Sequence, residues 1–211
     1  MEFKAKIYIK DESIPFYKRW TLTEQVLYGS FFILIILYFS NKFFGFEIDT
    51  KDSISLKIFV ICFAISWFFP ITYRFWEFER INGELKGEIS FKENGIKINE
   101  KLYLFSEIKN LDISYGNKYK EYTGNRKFGP YLSQGLNNHI SFYHNSKLIK
   151  TYFQLYSTSQ YFAIQKDLFY YVINEVFPFE KKNLDFIDKQ FHHYTLYKQF
   201  IEKMKREGKL T

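Results

Sequence analysis

Cysteine is nearly absent from this 211-residue chain. Cys62 is the only one, so no disulfide framework and no thiolate metal site can form within a single copy. Alanine occurs only at positions 5, 64 and 163. A phosphate-cradling fingerprint is missing too, because Gly124, Gly129 and Gly135 follow neither a G-x-G-x-x-G nor a P-loop spacing. Clustered acid and base groups are also lacking: Glu84, Glu88, Glu93, Glu100 and Glu107 sit among lysines, where solvated charge is expected. His192 and His193 are adjacent, so on a helix they point about 100° apart and do not converge on one ion. His139 and His144 read as ordinary surface histidines. The expectation is a protein that is not an enzyme and uses no metal and no cofactor.

Aromatic residues, by contrast, make up 22% of the chain, alongside abundant Lys, Ile and Asn. Such usage follows AT-rich coding and is read first as ordinary core. The net charge of +7 is unevenly spread: residues 1–73 hold 8 Lys/Arg against 7 acids, and residues 74–211 hold 22 against 16. These cations are interspersed with acids and no nucleic-acid recognition motif accompanies them, so nucleic acid is not an expected partner. A basic module held at a bilayer would instead face anionic headgroups, worth about 1 kcal/mol per Lys or Arg near the surface.

Two apolar stretches dominate the N-terminal third, Val26 to Phe46 and Ile54 to Tyr73. The first carries no charge from Gln25 to Asn41 and matches the roughly 20 residues that cross a bilayer. The second has an uncharged core from Ile58 to Tyr73, about 24 Å of helix, which Lys57 can lengthen by snorkelling. Trp20, Tyr28, Tyr73 and Trp76 fall where interfacial aromatic belts lie. Lys4, Lys6, Lys10, Lys18 and Arg19 precede the pair and Arg74, Arg80 and Lys86 follow it, so both termini are expected on the cytoplasmic side of the inner cell membrane. A cleaved signal peptide is not expected, since no small-residue cleavage site follows the first stretch and a second stretch comes directly after.

From Gly87 the apolar period becomes two. Ile89 and Phe91 alternate with polar neighbours, Glu93-Asn94-Gly95 turns the chain, and Ile96, Ile98, Leu102, Leu104, Ile108, Leu111 and Ile113 continue a meander of four short strands. Ile140 to Tyr143 and Leu148 to Leu155 form a further pair around His144-Asn145-Ser146. Ser157 and Gln160 have capping-box spacing and open a helix with a stripe of Tyr161, Ile164, Leu168, Val172 and Val176, closed by Pro178. Phe3, Ala5, Ile7 and Ile9 alternate as well, and that strand can join the sheet. Strands followed by one amphipathic helix read as an α+β or small-barrel arrangement.

The runs GEISFKENGIKI and LYLFSEIKNLDIS, then two strands and the Ser157 helix, together resemble the bacterial pleckstrin-homology-like domain placed after a two-helix membrane anchor, over about residues 81–178. The resemblance implies a seven-strand, partly open barrel plugged by a helix and used to bind lipid headgroups or protein. The expected organisation is an N-terminal strand and juxtamembrane segment (1–20), a transmembrane hairpin (21–76), a cytosolic PH-like domain (77–178) and a C-terminal helix (179–211).

Two additions stand outside that pattern. Between Ser114 and Asn138 lies a segment expected as a mobile basic loop, with Lys118, Lys120, Arg126 and Lys127 against Glu121 and with Tyr119, Tyr122 and Phe128 nearby. Its best candidates for meeting phosphate or carboxylate are Lys118, Lys120, Arg126, Lys127, Tyr119 and Phe128. After Pro178, Leu184, Ile187, Phe191, Tyr194, Tyr197, Ile201 and Met204 predict a helix of about six turns, to be buried on the sheet domain, on the membrane surface or against another copy. The expected role is a membrane-anchored binding or scaffold module whose partners are the bilayer, a protein or a second copy. The alternative is a regulatory subunit of an oligomeric transporter or channel.

Overall fold

The computed structural model describes residues 2–44, 54–124 and 129–210. In chain order the elements are β1 (Lys4–Lys10), α1 (Leu22–Phe44), α2 (Ile54–Tyr73), β2 (Gly83–Lys92), β3 (Gly95–Ile98), β4 (Lys101–Leu104), β5 (Ile108–Ser114), β6 (Tyr119–Tyr122), β7 (Leu132–Gln134), β8 (Asn138–His144), β9 (Lys147–Gln154), α3 (Thr158–Ile173) and α4 (Thr195–Arg206). They fall into two compact units: a sheet unit of residues 1–10, 83–119 and 135–211, and a hairpin unit of residues 11–82 and 120–134.

The sheet unit is α+β, with seven strands in the order β4-β3-β2-β1-β9-β8-β5. The N-terminal strand does join it, lying between β2 and β9 with Ala5 opposite Ile89 and Lys6 opposite Gln154. Its alternation is what burial requires as far as Ile7: Phe3, Ala5 and Ile7 are buried while Lys4 and Lys6 are exposed, but Ile9, expected in the same series, is 47% exposed beyond the register shift between Lys6 and Tyr8. Glu93 and Asn94 form the tight turn between β2 and β3, with Lys92 opposite Gly95. A Cβ at Gly95 would lie 2.3 Å from the Tyr103 carbonyl oxygen, so only glycine lets β4 approach here.

One expectation about this sheet needs correction. The four strands after Gly83 do not form one meander: β2, β3 and β4 pair in succession, but β5 pairs with β8. The β3–β4 ladder runs on to the Phe105 N–H to Asn94 O bond, and the chain then turns at a three-residue corner, Phe105 to Glu107, closed by Glu107 N–H to Leu104 O. Consequently β4 and β5 are the two edges, and the barrel is not closed.

Helix α3 fills the interior, with Ile164 and Leu168 fully buried beside Phe3, Phe91, Phe142 and Phe153. Both halves of its Ser157–Gln160 capping box are made. The helix stops at Ile173, short of Pro178. Glu175 takes a left-handed φ of 50°, and its N–H reaches Val172 O while that of Val176 reaches Tyr171 O, the two bonds of a Schellman stop.

Beyond α3 the single six-turn helix is replaced by two 3-10 turns, Lys181–Phe186 and Lys189–Phe191, and the 12-residue α4. The period is interrupted because Asp188 folds its carboxylate onto the N–H of Gln190 and the side chain of Gln165, fixing an extended backbone there. Phe186, Ile187, Phe200 and Met204 are buried in the same core. The tail therefore docks within its own chain.

In the hairpin unit, α1 and α2 pack through a Ser30–Ser66 hydroxyl hydrogen bond at 3.0 Å and a Phe31–Trp67 ring contact at 4.8 Å. Among the described residues one helix, over Leu22–Ser40, is long and apolar enough to cross a membrane. The described apolar part of the second, Val60–Tyr73, is shorter, so by length and composition the expected pair of spans reduces to one candidate.

Candidate functional site

The basic segment between Ser114 and Asn138 is not a free loop over its described residues. Its ends form the two-stranded ribbon β6–β7. Within the hairpin unit, the Tyr131 N–H donates to Arg74 O (3.0 Å), and the Arg74 guanidinium lies 4.3 Å over the Tyr131 ring. The Leu132 N–H donates to Glu77 O, and the Glu79 N–H to Leu132 O. The stretch that follows α2 is thus zipped to the ribbon.

The individual candidates part company. Lys118 places its ammonium 4.5 Å over the Tyr161 ring. Tyr119 donates its N–H to Leu155 O and stacks on Tyr156 at 4.5 Å. Both are thereby tied to the end of β9 and the start of α3. Lys120 is exposed at a left-handed φ of 64°. Arg126, Lys127 and Phe128 lie outside the described residues.

A better-formed site lies at the head of α1. A groove of about 850 Å³ is walled by Trp20, Tyr28, Phe31 and Phe32, with Lys18 and Arg80 at its polar end. Local structure explains how it is held. Thr21 and Glu24 exchange capping-box bonds, Thr21 N–H to the Glu24 carboxylate (2.9 Å) and Glu24 N–H to the Thr21 hydroxyl (3.4 Å). This fixes the turn that leaves Trp20 just outside the helix, its ring 4.9 Å from Tyr28 and 5.6 Å from Phe16. Arg80, sixty positions along the chain, donates from Nη1 to the Trp20 carbonyl at 3.0 Å, and Gln25 Nε2 donates to the same oxygen at 3.0 Å.

The ionisable groups of this lining, tyrosine hydroxyls apart, are cations. The nearby acids Glu24 and Glu77 are engaged elsewhere: Glu24 accepts the N–H of Thr21, just before α1, and Glu77 that of Thr23 in its first turn. Trp20 and Tyr28 were legible as interfacial aromatics, but nothing in the sequence brings Arg80 to Trp20.

In the sheet unit, Glu2, Lys92, Asp167 and Tyr171 border a smaller hollow. Burial pushes the Asp167 carboxyl above its ordinary value, opposed by the Phe3 N–H that it accepts at 2.9 Å. His139 and His144 each face one exposed carboxylate, Asp112 at 3.4 Å and Glu107 at 3.5 Å, an arrangement of surface pairs. Among the described residues no group of three or more His, Cys, Asp or Glu is placed to hold a metal ion.

In comparisons with known proteins, no family model, no curated protein and no solved structure matches this chain.

Proposed function

We propose that this protein is a non-catalytic binding module anchored by a helical hairpin in the inner cell membrane. Both termini lie on the cytoplasmic side, and a PH-like sheet domain recognises a protein partner or anionic lipid headgroups. The observation that carries the reading is the position of β1. This strand is hydrogen-bonded to both β2 and β9, so the chain leaves the sheet after Lys10 and returns to it at Gly83. A folded sheet occupies one side of a bilayer, and the number of crossings in between must be even. If α1 spans, a return crossing is required, and α2 is the helix on the way back: its described apolar part, Val60–Tyr73, falls short of a span, but the whole element has 20 residues, or about 30 Å. The Asp11 N–H to Asn82 O bond at 2.9 Å, at the two ends of this excursion, fits the same picture. The flanking cations set the cytoplasmic side, and tethering would let weak contacts suffice through high effective concentration.

The test combines alkaline extraction of membranes with labelling by a membrane-impermeant maleimide in a Cys62→Ser background. Retention in the pellet is expected, together with external labelling of Asp49→Cys and protection of Lys147→Cys. Release of the chain by alkali, or labelling of both positions from the same side, would overturn the anchor.

A further inference from the structure

We infer that the groove at the head of α1 is a binding site for a single anionic phospholipid. This rests on the anchored reading above and names the ligand class. The groove has two chemically different ends. At one, Lys18 and Arg80 offer positive charge with no acid in the lining to neutralise it. At the other, Phe32 is 64% exposed and continues onto Ile35 and Ile36 along the candidate span, flanked by Phe31, which is 43% exposed and also meets Trp67. A ligand that satisfies both carries a phosphate within reach of a guanidinium and an acyl chain lying against phenylalanine. An acidic peptide meets the cations but not the hydrocarbon-facing wall, and a neutral lipid meets the wall but not the cations.

Between the two ends stand Trp20 and Tyr28, whose amphipathic rings suit the glycerol and carbonyl level of a bilayer. Arg80 is preorganised for this task, because its Nη1 bond to the Trp20 carbonyl holds the guanidinium over the groove while leaving other N–H donors for a phosphate. Lys18, exposed near the end of the 3-10 turn Phe16–Arg19, supplies a second charge.

Trp20 is the reporter. The full chain carrying Trp67→Phe and Trp76→Phe is reconstituted in phosphatidylcholine vesicles, and its fluorescence is quenched with chain-brominated phosphatidylglycerol or chain-brominated phosphatidylcholine at equal mole fraction. Phosphatidylglycerol should be preferred about tenfold at Trp20. Lys18→Gln should cut that preference several-fold, Arg80→Gln should nearly abolish it, and Arg80→Lys should keep most of it, separating charge from fold. Equal quenching by both lipids in a chain that stays with the vesicles would leave the anchor intact and overturn the lipid site. A chain that neither lipid quenches and that does not float with vesicles would overturn the anchor and the site together.

Discussion

The carboxylate of Glu77 accepts the backbone N–H of Thr23 at 3.1 Å, across 54 positions of sequence. Glu77 is only 8% exposed, and it places negative charge on the first turn of α1, where free N–H groups and the helix dipole favour an anion. The stretch after α2 thereby caps the start of α1. Glu77→Ala leaves that N–H unsatisfied and should cost about 1–3 kcal/mol, with Glu77→Gln losing less. Hydrogen exchange of the amides around Thr23 in detergent checks this: faster exchange is expected there, and unchanged protection would remove Glu77 from the cap.

Met204 is fully buried on α4 and Phe200 is 4% exposed. Met204→Ala should destabilise the sheet unit by about 2–4 kcal/mol through the cavity that it leaves, whereas the exposed Lys205→Ala should change stability by less than about 0.5 kcal/mol. Thermal unfolding of the full chain in mild detergent distinguishes them. Equal midpoints would mean that α4 is not part of the core.

Two carboxyls give the sheet unit opposite pH responses. Glu175 is held below its ordinary value of 4.5, first by its hydrogen bond to Lys203 and further by Lys209. Its contribution is present above 4.5 and is lost as pH falls through the lowered value. As a half-exposed ion pair it is worth about 0.2–1 kcal/mol, so Glu175→Gln should lower the unfolding midpoint at neutral pH and leave it unchanged in acid.

Asp167 behaves in reverse. Burial raises its carboxyl above 3.8, so the folded state holds the proton more tightly and stability falls as pH rises through that window. Asp167→Asn keeps an acceptor for the Phe3 N–H and removes the charge. It should raise the neutral-pH midpoint by an amount equivalent to less than about 1 kcal/mol, with no gain in acid. A parallel loss at both pH values would contradict the assignment.

Gly95→Ala drives a methyl group into the Tyr103 carbonyl, 2.3 Å away on the neighbouring strand. Backbone cannot yield as a side chain tip can, so a loss of about 1–3 kcal/mol is expected. At Gly116, where nothing lies within 4 Å, the same change should be nearly neutral. A pair of denaturation curves decides it.

Local chemistry was legible in the sequence wherever it is self-contained. The Ser157–Gln160 box, the Glu93-Asn94 turn and the two-residue alternation of Phe3, Ala5 and Ile7 each depend on neighbours within a few positions, and each is found in the structure. What escaped depends on partners distant along the chain. The pairing of β5 with β8 is decided by a corner at Phe105, not by the apolar pattern, which fits either neighbour. The C-terminal apolar repeat reads as one helix because Asp188's use of its side chain against Gln165 and Gln190 leaves no periodic trace. Of the candidate site, the cations of the inserted segment were visible, but Lys118 and Tyr119 are engaged by Tyr161 and Tyr156, and the groove depends on a meeting of Arg80 with Trp20 that no spacing rule foretells.

The place of β1 has a consequence for biosynthesis. β1 leaves the ribosome before either of its neighbours, so it has no partner until Gly83–Lys92 emerges, and Phe3 meets Phe153 only once β9 has been made. In that interval an apolar strand waits with both edges open, a template for the wrong pairing. Nascent chains arrested before β9 should therefore be the ones that aggregate or recruit chaperones.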